Sequence, residues 1–162
     1  MNVPNKITPC LLFNFNAEEA VAHYLSIFKR GRILEVSHYG DAVPEHKGKV
    51  LTIRFEIEGQ TLLGLNSGMN SPFTETVSLM IECEDQAEID ELWSKLSAGG
   101  SEGHCGWLKD KFGLSWQIAP RDVIQMYTSP DSAAAARAMQ AMMKMKKLDI
   151  ATLRAAFEGR SL

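Results

Sequence analysis

The sequence is poor in cysteine and contains no paired cysteine motif. Its 162 residues include three cysteines at wide spacing, Cys10, Cys83 and Cys105. An odd, scattered set of this kind does not predict a disulfide framework. The absence of a C-x-x-C pair also excludes the usual thiol-based zinc or redox motif. The sequence therefore predicts reduced thiols and a cytoplasmic location.

A surplus of positive charge, long apolar runs and an apolar leader are also lacking. Lysine and arginine number 17 against 20 aspartates and glutamates, which gives a net charge of −3. Nucleic-acid-binding domains present a basic face, and a membrane span needs ~20 consecutive apolar residues. Residues 1–6 contain no apolar core of a signal peptide. We expect no nucleic-acid partner and no membrane association.

What is present is the composition of an ordinary globular protein, with 45% hydrophobic and 23% charged residues. This length suffices to bury one substantial core, and no flexible linker or low-complexity segment interrupts the chain. We therefore expect a single domain across residues 1–162.

The apolar pattern in the first half predicts one strand, one helix and three further strands. The helix follows Asn16, which we expect to cap it, and its apolar residues recur at helical spacing until Gly31. The turn Glu58-Gly59-Gln60 joins the last two strands into a hairpin. The predicted strands cover residues 7–15, 33–39, 50–57 and 61–65.

The second half repeats the same order of elements about 70 residues later. Asp85 is the predicted cap of a helix that ends at Gly99 and Gly100. The predicted strands cover residues 76–82, 101–105, 107–111 and 114–118. The sequence thus predicts an α+β protein of two β-α-β-β-β modules, at about 7–66 and about 75–119.

A helical tail follows at about 121–159. Ser129 and Pro130 have the order of an N-cap and a first helical residue, and they predict a helix over 132–146. Asp149 and Gly159 are the predicted ends of a last helix. The predicted apolar stripe of the first tail helix consists of Met139, Met142 and Met143. Because exposed apolar patches are uncommon in monomers, this methionine surface predicts a homodimer with the C-terminal helices in its interface.

The segment 105–118 is the most informative part of the chain. It reads as strand, tight turn and strand, with Asp110 to Gly113 as the turn and glycine supplying the positive φ. Alternation on the returning strand places Trp116 on one face and Ser115 and Gln117 on the other. An amide on a concave sheet surface needs a hydrogen-bond partner, and a ligand or an ordered water is the expected one.

This hairpin resembles that of the vicinal oxygen chelate (glyoxalase, bleomycin resistance and dioxygenase) superfamily. With the segments 8–13 and 16–20 and the methionine-rich segment 139–150, it is similar to the PhnB-like branch, the 3-demethylubiquinone-9 3-methyltransferase domain family. The resemblance implies two β-α-β-β-β modules that form an incomplete barrel around a ligand cavity, with the tail as a helical extension. It also implies a divalent metal held by the first and last strands of each module.

The positions that correspond to those metal ligands are Thr8, Pro9 or Cys10, then Leu65 or Asn66, then Ser78, and finally Gln117. Cys10 is the one strong ligand among them, whereas tight divalent binding needs carboxylates, imidazoles or thiolates. We therefore expect no metal and no other cofactor. A methyl donor usually sits on a Gly-rich turn after the first strand, and residues 14–16 lack one. Methyltransferase activity is not expected.

The resemblance implies a ligand cavity between the two sheets. The candidate ligand-binding residues are Phe13, Asn66, Ser78, Trp107 and Gln117, with Trp116 on the opposite face or rim. The expected function is the binding of a small organic molecule without the usual metal. One alternative is a metal-independent isomerase or lyase in which Gln117, Asn66 or Ser78 orients the substrate. A metal-dependent lyase or dioxygenase ranks third, and the sequence assigns no catalytic residue.

Overall fold

The computed structural model describes residues 6–160. The chain divides into two compact units, one ending at Pro72 and the other beginning at Phe73. Each unit contains the predicted β-α-β-β-β order around a four-stranded mixed sheet, and the second continues into helices. The predicted α+β class is confirmed. Among the described residues, no helix combines the length and apolarity needed to cross a membrane.

The strands are β1 (Cys10–Phe13), β2 (Gly31–His38), β3 (Val50–Ile57), β4 (Gln60–Asn66), β5 (Ser78–Cys83), β6 (Ser101–Glu102), β7 (Trp107–Lys109) and β8 (Ser115–Pro120). The helices are α1 (Ala17–Ile27), α2 (Gln86–Ser97), α3 (Val123–Tyr127), α4 (Ser132–Met142) and α5 (Ile150–Glu158), and a short 3₁₀ turn covers Pro44–His46.

In the first unit the strand order is β1-β4-β3-β2, with β1 parallel to β4 and the other neighbours antiparallel. Side chains alternate between two faces. Phe55 of β3 is buried on the face that α1 covers, where its ring stacks with Tyr24 at a centroid distance of 6.4 Å. Arg54 is exposed on the side away from α1. We call that side the open face of the first sheet.

One side chain, Asn66, holds the start of α1 on this sheet. Asn66 ends β4 and is 1% exposed. Its Oδ1 accepts the Ala17 N–H at 3.0 Å, and its Nδ2 donates to Glu18 Oε2 at 2.7 Å and to the Val50 carbonyl at 3.0 Å. Asn16 occupies the predicted N-cap position but makes no side-chain capping hydrogen bond. The predicted cap is therefore supplied by a residue distant in the sequence.

In the second unit the strand order is β5-β8-β7-β6, with β5 parallel to β8. Asp85 caps α2 as predicted, since its side chain accepts the Glu88 N–H at 2.8 Å. The apolar face of α2 is buried, and its residues there are Ile89, Leu92, Trp93 and Leu96. Trp93 donates its Nε1–H to Glu102 of β6 at 2.9 Å. This contact identifies the face of the sheet that α2 covers.

Two predicted strands of this unit are shorter than expected. The first ends at Glu102 rather than at residue 105, because Cys105 and Gly106 both adopt positive φ, 57° and 81°, and turn the chain. The second ends at Lys109 rather than at residue 111, because the tight turn begins at Asp110.

A buried carboxylate closes the predicted turn between β7 and β8. Asp110 is 2% exposed, and its Oδ1 accepts the N–H groups of Phe112 and Leu114 at 2.9 and 3.1 Å. Its Oδ2 accepts the indole N–H of Trp116 at 2.9 Å. Gly113 adopts a φ of 88° and donates to the Asp110 carbonyl at 2.9 Å. The turn residues are therefore confirmed, and they are tied to the core beneath the sheet.

The tail helices differ from the prediction at two boundaries. The N-cap of α4 is Asp131, whose side chain accepts the Ala134 N–H at 2.9 Å, so the prediction of Ser129 is wrong. The helix ends at Met142 rather than at residue 146. Its predicted last turn instead contacts the β6–β7 connection, where the Met145 carbonyl accepts the Cys105 N–H at 2.8 Å. For α5 the predicted ends are confirmed: Asp149 caps it, and Gly159 has a φ of 71°.

The predicted methionine stripe is wrong in part. The buried residues of α4 are Ala134 and Ala138, whereas Met139 and Met143 are 38% and 66% exposed. Met142 packs partly against a cluster that joins the tail to the end of β8. The buried members of that cluster are Ala119, Val123, Met126, Ala138, Leu148 and Leu153. The tail thus shares a core with the second unit.

We predict that Gly106→Ala destabilises the protein where the tail meets the β6–β7 connection. The positive φ of Gly106 disfavours any side chain, and a Cβ there would lie 2.6 Å from the Ile118 carbonyl oxygen and 3.1 Å from Leu148 Cδ1. Backbone strain and overpacking together should lower the free energy of unfolding by about 2–4 kcal/mol, measured by urea titration.

The control is Gly40→Ala, because a Cβ at Gly40 meets nothing within 4 Å. Its free energy of unfolding should stay within about 1 kcal/mol of wild type. Equal losses for the two variants would contradict the close packing of the tail against Gly106.

Candidate ligand-binding site

The open face of the second sheet, the side away from α2, carries mostly polar side chains. Strand pairing fixes which residues share it, because directly paired residues on neighbouring strands point to the same side. Ser115 pairs with Ser78 and Lys109, and Gln117 pairs with Met80 and Trp107. The open face of the second sheet therefore consists of Ser78, Met80, Trp107, Lys109, Ser115 and Gln117.

Gln117 makes a direct side-chain contact on this face. Its Nε2 donates to the Ser78 Oγ at 2.8 Å, so the last strand is linked to the first strand of the unit by polar side chains. Both residues are half-buried. In this arrangement the Gln117 carbonyl oxygen remains an acceptor and the Ser78 hydroxyl proton remains a donor. The half-buried Trp107 is the cross-strand neighbour of Gln117.

A cavity of about 200 Å³ lies over β6, β7 and the start of β8. At ~30 Å³ for each water, this volume has room for about six waters. The volume is smaller than the ~300–1,000 Å³ of drug-sized sites. Its lining residues are Glu75, Ser101, Glu102, Gly103, Trp107, Leu108, Lys109 and Ser115. Trp107, Lys109 and Ser115 of this lining belong to the open face of the second sheet, whereas Glu102 and Leu108 belong to the face that α2 covers. The cavity therefore borders the open face at one end, and Ser78 and Gln117 lie outside its lining.

The charges around the cavity are paired. Lys109 Nζ contacts Glu75 Oε1 at 2.7 Å, and this hydrogen bond and charge lower the pKa of the Glu75 carboxyl. Glu102 accepts the Trp93 indole N–H and lies 3.9 Å from Lys146 Nζ. Two carboxylates therefore face two ammonium groups, and the cavity carries no net charge from these four residues.

Ser115 is the unsatisfied group of this site. The residue is fully buried, and its Oγ has no hydrogen-bond partner among the described residues. A buried hydroxyl without a partner costs about 1–3 kcal/mol, and because water does not reach the Ser115 Oγ, that cost falls within the fold. Ser115 lies between Ser78 and Lys109 in the pairing of the sheet.

Three of the five predicted ligand-binding residues, Ser78, Trp107 and Gln117, are therefore brought together on one face. Ser115 was not among the predicted site residues, although the alternation of β8 puts it on the same face as Gln117. Nothing in the sequence marked Glu75 and Lys109 as site residues. They form an ion pair between distant segments, and residue spacing does not identify the partners of such a pair. Trp116 is 1% exposed on the opposite face, where the alternation had placed it.

The other two predicted residues lie elsewhere. Phe13 is 3% exposed and Asn66 is 1% exposed, and they are paired with each other on the face that α1 covers. The oxygen and the nitrogen of the Asn66 side-chain amide are both hydrogen-bonded within the fold, at the start of α1 and to the Val50 carbonyl. The side chains of Phe13 and Asn66 therefore point away from the open face of the first sheet. The neighbouring pair, Leu12 and Leu65, occupies the open face of the first sheet.

The residues at the implied metal positions do not fit a divalent transition metal. Gln117 offers an amide already bonded to Ser78, and the Asn66 amide is used in the fold. Burial raises the pKa of the Cys10 thiol, which disfavours the thiolate that a metal needs. In residues 6–160 no group of three or more His, Cys, Asp or Glu side chains could hold a metal ion.

The two β-α-β-β-β units place the protein in the vicinal oxygen chelate class of folds. Residues 5–119 match the family described as 3-demethylubiquinone-9 3-methyltransferase. The chain belongs to this family, which is the PhnB-like branch of the superfamily. The match ends before the helical tail. No protein of curated function matches the sequence.

Solved structures share the fold. The chain is 34% identical to a putative 3-demethylubiquinone-9 3-methyltransferase, a PhnB protein from Bacillus cereus, over 72% of this chain and 99% of that one, with a TM-score of 0.65. Protein PA1353 from Pseudomonas aeruginosa is 23% identical to the chain, over 70% of this chain and 96% of that one, with a TM-score of 0.60. The fosfomycin resistance protein FosX from Listeria monocytogenes is 12% identical to the chain, over 73% of this chain and 92% of that one, with a TM-score of 0.52. The last two resemblances concern the fold alone.

We predict that the protein purified without chelator contains no stoichiometric transition metal, because the donors at the implied positions are amides, a hydroxyl and one disfavoured thiolate. Elemental analysis of wild type beside Gln117→Glu measures this. Gln117→Glu restores one carboxylate, and a single strong ligand should still hold no metal tightly. A full equivalent of metal in wild type that is lost in Gln117→Leu would contradict the prediction.

Proposed function

We propose that this protein binds a small organic molecule on the open face of the second sheet, without a metal ion. The observation that carries the proposal is the half-buried Gln117–Ser78 pair beside the half-buried Trp107, on the face whose residues Trp107, Lys109 and Ser115 also border the cavity. Trp107 supplies an apolar wall next to these polar groups, and a few convergent polar groups beside an aromatic surface are typical of ligand pockets. Membership of the vicinal oxygen chelate superfamily supports the same reading.

Binding is favoured over proton-transfer chemistry by the ionisable groups at the cavity. A general acid or base works best with a pKa near the operating pH. The ion pair with Lys109 instead lowers the pKa of Glu75, so that carboxylate is ionised and weakly basic at neutral pH. Glu102 accepts a hydrogen bond from Trp93. The alternative is a metal-independent isomerase or lyase in which Gln117 or Ser78 orients a substrate.

The family name does not extend the proposal to methyl transfer. β1 ends at Phe13 and leads through Asn14, Phe15 and Asn16 into α1. This connection has no glycine to admit the close approach of a methyl donor. The described cysteines are free thiols, which suits the cytoplasmic location that we propose.

The proposed function predicts that Gln117→Leu weakens ligand binding. Thermal-shift screening with small aromatic and amide compounds should find ligands that raise the Tm of wild type. The shift should be reduced or lost in Gln117→Leu, because leucine cannot accept or donate the hydrogen bonds of the amide. The control is Gln125→Leu, since Gln125 is exposed on α3. Ligands that bind all three proteins equally would show that this face is not the site.

We also propose a homodimer in which α4 contributes to the interface. The exposed side chains of Met139 and Met143 lie one turn apart on this helix and its C-cap, and a second copy would cover them. In light scattering, Met139→Glu with Met143→Glu should shift the protein to monomer, because charges there would be desolvated in an interface. Met69→Glu is the control, since Met69 is 60% exposed in the first unit. A monomeric wild type would contradict the proposal.

A further inference from the structure

One edge of the first sheet is a long and exposed strand. β2 stands last in the strand order, and among the described strands it pairs with β3 alone. All eight of its residues except Ser37 are exposed, and the strand contains neither proline nor lysine. Short length, proline and lysine are the usual devices that keep a sheet edge from pairing with another chain. β2 therefore presents the backbone N–H and C=O groups of an edge that can accept a further strand.

This edge also exposes apolar side chains. Ile33, Leu34 and Val36 are 50%, 42% and 41% exposed. Ile33 pairs with Phe55, and Val36 pairs with Ile53, and both of these partners are buried on the face that α1 covers. Ile33 and Val36 therefore lie on the same side of the sheet as α1, but beyond the part that the helix buries. Three large apolar side chains exposed along one strand form a patch that a partner would cover.

A bulge in β2 sets the positions of its two charged side chains. The pairing with β3 skips Leu34, and on either side of it Arg32 pairs with Glu56 and Glu35 pairs with Arg54. Both pairs lie on the open face of the first sheet, with closest N–O distances of 3.5 and 3.8 Å. Residues three apart in a regular strand lie on opposite faces. The bulge instead puts one positive and one negative side chain of β2 on the same face.

This order of charges is complementary to itself. Consider two β2 strands that pair in antiparallel orientation, with Arg32 of one copy opposite Glu35 of the other. Because such a contact is two-fold symmetric, Glu35 of the first copy then lies opposite Arg32 of the second. Directly opposite residues share a face, and opposite charges at such positions stabilise a strand pair. The same register brings Ile33 of one copy beside Leu34 of the other, so that the apolar patch is covered as well.

We propose that β2 pairs in antiparallel orientation with β2 of a second copy of this chain, and that Arg32 and Glu35 set the register. The two four-stranded sheets then join into one continuous sheet. The inference rests on the proposed homodimer, because it adds a strand to the contacts of α4. A standard interface uses ~20–30 residues a side, whereas β2 has eight. We therefore expect the dimer to need both contacts, so that the loss of either one gives monomer.

Charge reversal tests the register. In Arg32→Glu, two glutamates would face each other at each of the two symmetric positions, and in Glu35→Arg two arginines would. Each variant alone should raise the dissociation constant of the dimer roughly tenfold or more. An equimolar mixture of the two variants should restore the dimer, because every facing position then holds opposite charges. Sedimentation velocity measures the association, and native mass spectrometry distinguishes the mixed dimer from either homodimer.

Both variants should fold as wild type does, because the ion pairs that they remove within the chain are exposed and contribute little to stability. Circular dichroism spectra check this. The control is Lys47→Glu, which reverses one charge of an exposed ion pair with Asp41 in the connection between β2 and β3. Its dissociation constant should stay within about twofold of the wild-type value.

The outcomes separate this inference from the proposals above. If both variants remain as dimeric as wild type, or if their mixture associates no better than either variant alone, the inference is overturned while the part of α4 can still stand. If the mixture restores the dimer but Met139→Glu with Met143→Glu stays dimeric, the inference stands and the part of α4 fails. A wild type that is monomeric at micromolar concentration overturns both, and the thermal-shift screen then still tests ligand binding.

Discussion

The buried Asp110 carboxylate is the interaction on which the proposed site depends. It accepts two N–H groups of its own turn and the indole N–H of Trp116, all between 2.9 and 3.1 Å. Hydrogen bonds to a carboxylate are stronger than neutral ones, and a buried carboxylate needs them to offset its lost hydration. Because Trp116 is fixed toward the core, alternation sends Ser115 and Gln117 to the opposite side. A one-residue slip of β8 would exchange the two faces and remove the site.

The same face carries polar groups that the fold does not fully use. Of the buried polar residues in the described part of the chain, Asn66 and Asp110 are satisfied internally, as the Asn66 amide illustrates at the start of α1. On the open face, Gln117 and Ser78 are half-buried and bonded to each other, which leaves the Gln117 carbonyl oxygen and the Ser78 hydroxyl proton for a further partner. Polar groups left for a partner at one place on the scaffold are the feature expected of a functional site.

Much of the fold could be predicted from the sequence, because alternation and capping are local signals. The caps Asp85, Asp149 and Gly159 and the turn at Asp110 follow from short-range chemistry. The site was only partly predictable. Phe13 lies in the apolar run 7–15, and Asn66 follows the apolar run 61–65. Either phase of alternation fits these two runs, and only the packing of α1 against the sheet decides between them. The Lys109–Glu75 pair and the unsatisfied state of Ser115 depend on tertiary contacts, which local patterns do not encode.

The central claim is that the open face of the second sheet binds an organic molecule without a metal. The most direct measurement is the crystal structure of the protein with a ligand from the thermal-shift screen, grown without added metal. The account predicts electron density for the ligand against Trp107, with polar atoms within hydrogen-bond distance of Gln117 or Ser78. Density for the ligand on the open face of the first sheet at Leu12 and Leu65, or on a metal ion held by Gln117, would contradict it.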